Sequence, residues 1–164
     1  MSARAVLVLV AGLGGCGSRA PEVPAPEAAT SAGPVVTLER GPCFGTCPVY
    51  RVSVHADVSV DFSGTRFVTR VGADTGRIAP EEVGRLVDSL DAAGYFALAD
   101  EYVADSPACG RFATDAPTAT TSVLAGGRTK TVRHDHGCSG APQALGGMER
   151  LIDSVTGTAR WTGR

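Results

Sequence analysis

Five cysteines and three histidines carry most of the chemistry open to this 164-residue chain. In "GPCFGTCPVY" Cys43 and Cys47 stand four apart, and in "HDHGC" His134, His136 and Cys138 alternate. Such residues serve as a disulfide staple, a reactive dithiol or a mixed nitrogen and sulfur metal centre. A Cys-x-x-Cys dithiol owes its low thiol pKa largely to a helix N-terminus beside the attacking sulfur. Pro48 and an alternating strand pattern follow Cys47 instead, so that support is missing. For zinc, His134 and His136 on one strand face could meet Cys43 or Cys47, yet no zinc-knuckle spacing is present and oxidised cysteines cannot ligate. Ser139, His134, His136, Asp115 and Asp135 supply the residue types of a hydrolytic triad without a nucleophile elbow to bring them together. Glu81 and Glu82 fit the first turn of a helix, where the dipole favours them, so they are not read as a glycosidase pair. No catalytic residue and no cofactor is assigned. The alternative is a thiol- or metal-dependent use of Cys43 and Cys47 with His134 and His136.

The cellular compartment weighs between these readings. The segment "MSARAVLVLVAGLGGC" has a positive start at Arg4, an apolar run from Ala5 to Leu13 and small residues before Cys16. That is a secretory signal, too short to be a membrane-spanning helix of about 20 residues. Its end, "LGGC", resembles the lipobox of bacterial lipoproteins, which implies cleavage after residue 15 and lipidation of Cys16. Removing Cys16 from the count leaves an even four cysteines for an oxidising compartment. Several acyl chains on Cys16 would anchor the protein stably, since one chain alone binds only marginally. By the sorting rule this context resembles, Gly17 and Ser18 lack the aspartate that retains a lipoprotein in the inner membrane. The implied location is secreted and lipid-anchored, at the outer membrane or periplasmic side if the envelope is Gram-negative.

Residues 16–34 then form a tether rich in proline and alanine that cannot bury a core. As extended polyproline it would reach roughly 55 Å. The remainder, 35–164, suits one domain. The charge of the whole chain is nearly balanced, with 15 Lys and Arg against 17 Asp and Glu. Nucleic acid, which needs a basic patch to neutralise phosphates, is therefore not a partner. Arg128, Lys130 and Arg133 read as a solvated strand face.

The elements that must position the cysteines and histidines follow from periodicity. Tyr50, Val52, Val54 and Ala56 alternate with polar residues, and Val58, Val60 and Phe62 resume the pattern, so two strands are expected. A third is expected at Thr65 to Val71, and a further one at Val35 to Arg40. Val83, Leu86, Val87 and Leu90 recur at helical spacing between Pro80 and Gly94. Residues 95–102 should pack against a sheet edge. The grammar repeats in the second half. Thr118 to His134 is β-branched on both sides of Gly126-Gly127, a hairpin signal, and Leu145, Met148, Ile152 and Val155 define a second helix. The fold class is α+β: an antiparallel sheet, meander plus hairpin, with two helices on one face and the strands-then-helix arrangement occurring twice.

Several stretches, "GPCFGTCPVY", "RFVTR" with "TGRI", "ATDAPT", "GGRTKTV" and "GTARW", together resemble the bacterial family known as domain of unknown function 6438. The resemblance spans Val35 to Gly163 and implies a secreted or lipid-anchored domain. It carries no known activity, so no catalytic residues transfer. Where Asp-Gly is expected in the first hairpin, this chain has Asp57-Val58. A left-handed residue is costly when β-branched, so a differently built loop is expected there.

Four cysteines allow three connectivities. Cys109 precedes the second hairpin and Cys138 follows it, so their approaches should meet at its open end. That leaves Cys43 with Cys47 across a turn at Phe44-Gly45-Thr46, which brings their Cα atoms within the required 7 Å or so. The chain-entropy estimate is about 3.5 kcal/mol for the longer loop and about 2 kcal/mol for the shorter. The expected function is a non-enzymatic binding or structural domain, lipid-anchored through Cys16, with an envelope protein or cell-wall component as partner.

Overall fold

The computed structural model describes residues 33–164. The signal segment, Cys16 and the tether up to residue 32 lie outside the described residues. Seven strands form one sheet: β1 (Val36–Arg40), β2 (Val49–Val54), β3 (Ser59–Arg66), β4 (Gly72–Arg77), β5 (Glu101–Tyr102), β6 (Thr118–Ala125) and β7 (Arg128–Asp135). Their spatial order is β4-β3-β2-β1-β6-β7-β5. All neighbours are antiparallel except β5, which runs parallel to β7 at the edge. β1 is the hinge of the architecture. It pairs with β2 on one side and with β6 on the other, joining the first meander to the second hairpin.

The helices are α1 (Pro80–Ala92), α2 (Gln143–Thr156) and the short α3 (Ala159–Thr162), with a 3-10 turn at Tyr95–Ala97. Alternation along each strand sends Val36, Leu38, Val52, Val54, Val60, Phe62, Val123 and Val132 to one side, where they are buried. Leu86 and Leu90 of α1 and Leu145, Met148 and Ile152 of α2 close over them. The opposite face keeps polar pairs in register, such as Glu39 beside Arg51 and Thr37 beside Ser53. The α+β layout read from periodicity is thus the observed one. No helix among the described residues is long and apolar enough to cross a membrane.

Two local expectations are corrected. The third strand is not at Thr65 to Val71. β3 runs on to Arg66, Phe67 turns left-handed at φ 54°, and β4 begins only at Gly72. The segment between is held by α3: Arg70 N–H and the Thr69 hydroxyl both donate to the Trp161 carbonyl, at 2.9 and 2.7 Å. β4, "GADTGR", lacks β-branched or aromatic residues apart from Thr75, and as an edge strand it needs no apolar face. The first hairpin loop is also not built around the strain. Val58 itself takes the left-handed position, at φ 67°. Its N–H donates to the His55 carbonyl, His55 N–H to Ser59 O, and Asp57 Oδ1 accepts the Ser59 N–H at 3.1 Å. This is a three-residue loop of the type I plus bulge kind, with valine where glycine is usual.

α3 carries no signal in the apolar pattern, yet its Trp161 is buried. The indole stacks on Phe62 with ring centroids 4.6 Å apart, and Arg160 covers its other side at 3.9 Å.

Candidate functional site

β1 ends, β2 begins and β7 ends at the same edge of the sheet, and α2 lies across them. Sheet alternation that buries Val36 and Leu38 also turns Arg40 inward, and the apolar stripe of α2 contains Glu149 between Met148 and Ile152. Arg40 donates from Nη1 to Glu149 Oε2 at 2.8 Å and from Nη2 to Asp153 Oδ2 at 2.7 Å. It thereby bridges two carboxylates one helical turn apart that would otherwise repel. Tyr50 donates its hydroxyl to Asp153 Oδ1 at 2.5 Å. His134 Nδ1 and His136 Nε2 meet Glu149 Oε1 and Oε2 at 2.6 and 2.9 Å. An ionised carboxylate only accepts, so each imidazole donates here.

Glu149 has no solvent exposure. Burial pushes its carboxyl up, but the bonds from His134 and His136 and the charge of Arg40 outweigh burial and bring it down to about 2. Burial, followed by the charge of Asp153 and the hydrogen bond to it, pushes the Tyr50 phenol up. Every buried side-chain polar atom among the described residues has a partner.

His134, His136 and Glu149 are also the one trio whose ligand atoms come within 4.8 Å of one another among the described residues. Their geometry does not suit a metal centre. The imidazoles are stacked, with centroids 4.2 Å apart and planes 22° from parallel. Each imidazole nitrogen is instead spent on a hydrogen bond to a different oxygen of the carboxylate. Arg40 already engages the carboxylate, and its charge opposes a cation. The thiol half of that alternative is overturned too. Cys43 is bonded to Cys47 and Cys109 to Cys138, with Cα separations of 5.8 and 4.6 Å.

The other reactive types are spent structurally. Ser139 Oγ accepts the Arg111 N–H at 2.9 Å and Asp135 Oδ1 accepts the Gly137 N–H at 2.8 Å. Neither is joined to a histidine. Arg128, Lys130 and Arg133, lining a shallow depression of about 580 Å³, are each matched by an acid: Asp91, Asp100 and Glu101.

What remains unsatisfied lies in the loops beyond the same sheet edge. The Cys43–Cys47 bridge closes a five-residue clip, with Gly45 at φ 148° making the turn. The clip is fixed at both shoulders: Phe44 N–H donates to the Asp115 carbonyl at 3.1 Å, and Arg164 Nη2 donates to the Thr46 carbonyl at 2.7 Å. Phe44 itself is 88 % exposed. Beside the clip, Arg40, Gly41, Cys47, Pro48, Tyr50 and Pro117 line a largely apolar cavity of about 160 Å³. The remaining exposed large apolar side chains among the described residues, Phe67, Val71 and Phe112, sit in loops at this end as well.

Sequence reasoning singled out the cysteines and both histidines but missed Arg40, Tyr50, Glu149 and Asp153. The available signal was a carboxylate on the apolar stripe of α2, at the i+4 position from Leu145.

The fold and site define a disulfide-stapled α+β domain with a part-buried polar network at the margin of its core and a disulfide-closed loop end that exposes apolar side chains. By sequence the chain belongs to the family described as Domain of unknown function (DUF6438), whose model matches residues 34–156. The match runs from the start of β1 to the end of α2 and stops short of α3. No curated protein matches the chain.

Proposed function

We propose that this is a lipid-anchored cell-envelope protein, at the outer membrane or periplasmic side where the envelope is Gram-negative, whose domain binds an envelope component without catalysing a reaction. The observation that carries the binding role is Phe44. A bulky apolar side chain held out on a disulfide-closed loop loses little conformational entropy when it is buried by a partner, which is the property of an interface anchor. Two disulfides in a chain of this size support an oxidising compartment. The lipobox-like "LGGC" supports the anchor at Cys16. β1 leads from Val36 at one end of the sheet to Arg40 at the other, and the clip lies at the Arg40 end. It is available to whatever the domain meets.

A photoreactive residue placed at position 44 in cells should give a discrete covalent adduct, and the same residue at position 77, at the opposite end, should not. Equal labelling at both positions, or none at either, would refute the binding role of the clip end.

A further inference from the structure

The clip end pairs a knob with a hole. Phe44 projects from the clip, and the cavity beside it is walled by Cys47 of the same clip, by Pro48 and Pro117, and by Tyr50 and Arg40 at its base. Its volume of about 160 Å³ is the size of apolar cavities, roughly 150 Å³, that accept benzene. A phenyl ring therefore fits. The chain's own Phe44 does not fill it, because its side chain stands in solvent.

We infer that the occupant is Phe44 of a second copy, in a reciprocal dimer. Because knob and hole adjoin on one surface, a two-fold axis between them seats each Phe44 in the other copy's cavity, the self-complementary arrangement an isologous interface requires. The charges around them agree with a copy as partner. Arg111, Arg164 and Asp115 are all exposed at this end, and a surface with both signs can pair with itself, whereas a single sign would favour an opposite partner. The polar network at the cavity's base is already satisfied, so it asks nothing of the entering group but apolarity. Anchoring would assist the pairing: copies held on one membrane meet at a raised effective concentration. The inference rests on the binding role of the clip end proposed above and names its partner.

The test uses the mature chain from residue 16 carrying Cys16→Ser and made without the signal segment, so that neither a lipid nor the apolar run before it drives association. Sedimentation across roughly 1–100 μM should show a reversible monomer–dimer equilibrium. Phe44→Ala should weaken it by about thirtyfold or more with an unchanged melting temperature, while Phe44→Trp should keep the dimer and shift its fluorescence to the blue on association. Pro117→Phe, which fills the cavity, should also block pairing. A mixture of the Phe44→Ala and Pro117→Phe chains should associate where neither does alone, because one offers the hole and the other the knob.

A wild-type chain that stays monomeric throughout this range overturns the inference, as does a Phe44→Ala chain that dimerises normally or a mixture that remains monomeric while the wild type pairs. If the probe at position 44 in cells captures only a different protein, the dimer falls and the binding role of the clip end stands. If it captures nothing, both fall.

Discussion

A carboxylate with no solvent exposure must be neutralised by its neighbours, and Glu149 is held by three: Arg40, His134 and His136. Removing one partner of such a set costs more than the set contributes, since the buried His134 and the part-buried Arg40 lose their shared acceptor, although His136 stays solvated and Arg40 keeps Asp153. Glu149→Ala should therefore destabilise the domain by about 3–5 kcal/mol in urea unfolding. The sign of the pH dependence follows from the depressed carboxyl, about 2 against its ordinary 4.5. Its stabilisation is complete above pH 4.5 and is lost as pH falls toward 2, on the order of 3 kcal/mol in all. The wild-type urea midpoint should fall across that window more steeply than that of Glu149→Ala. Parallel slopes would show that the carboxyl is not held down by its partners. At this scale the sequence was only partly legible. His134 and His136 stood out as types, but their role depends on a helix 15 residues away in sequence from His134, and no local pattern joins them to Arg40 on β1.

The hairpin joining β2 to β3 shows how an element can overrule its turn residues. Alternation from Tyr50 to Phe62 fixes which side chains are buried, and a one-residue change of register would expose all of them. The loop must then fit that register, and Val58 is left in the left-handed region at φ 67°. A β-branched residue there carries strain of about 1–2 kcal/mol. Asp57 offsets part of it by capping Ser59 through both its N–H and its hydroxyl. Val58→Gly relieves the strain and gives back some unfolded-state entropy, so it should raise stability by about 0.5–1 kcal/mol. A calorimetric midpoint that falls would show that the valine side chain contributes packing here. The elements with strong periodicity, β2, β3, β6, β7, α1 and α2, were legible because burial on one face writes its period into the sequence. β4 and α3 were not. The first is an edge strand fixed only by pairing with β3, and the second is a single turn placed by the stacking of Trp161 on Phe62.

Across the whole molecule the two ends of the sheet differ in character. β1 begins at Val36 at one end, while the clip, the cavity and the exposed Phe44, Phe67, Val71 and Phe112 gather at the other. This polarity separates attachment from contact, and the two can be tested apart. On the proposed reading membrane association belongs to Cys16 alone, because several acyl chains suffice for stable anchoring and the described residues hold no spanning helix. The wild-type chain should therefore fractionate with outer membranes on a density gradient, and Cys16→Ser exported behind a secretory signal that is cleaved without a lipobox should move to the soluble periplasmic fraction with both disulfides intact. Phe44→Ala should leave the fractionation unchanged. If Cys16→Ser stays with the membrane but the double variant with Phe44→Ala does not, the clip end is itself the membrane contact. The division of labour between the two ends would then be wrong, even though the fold and its polar core would stand.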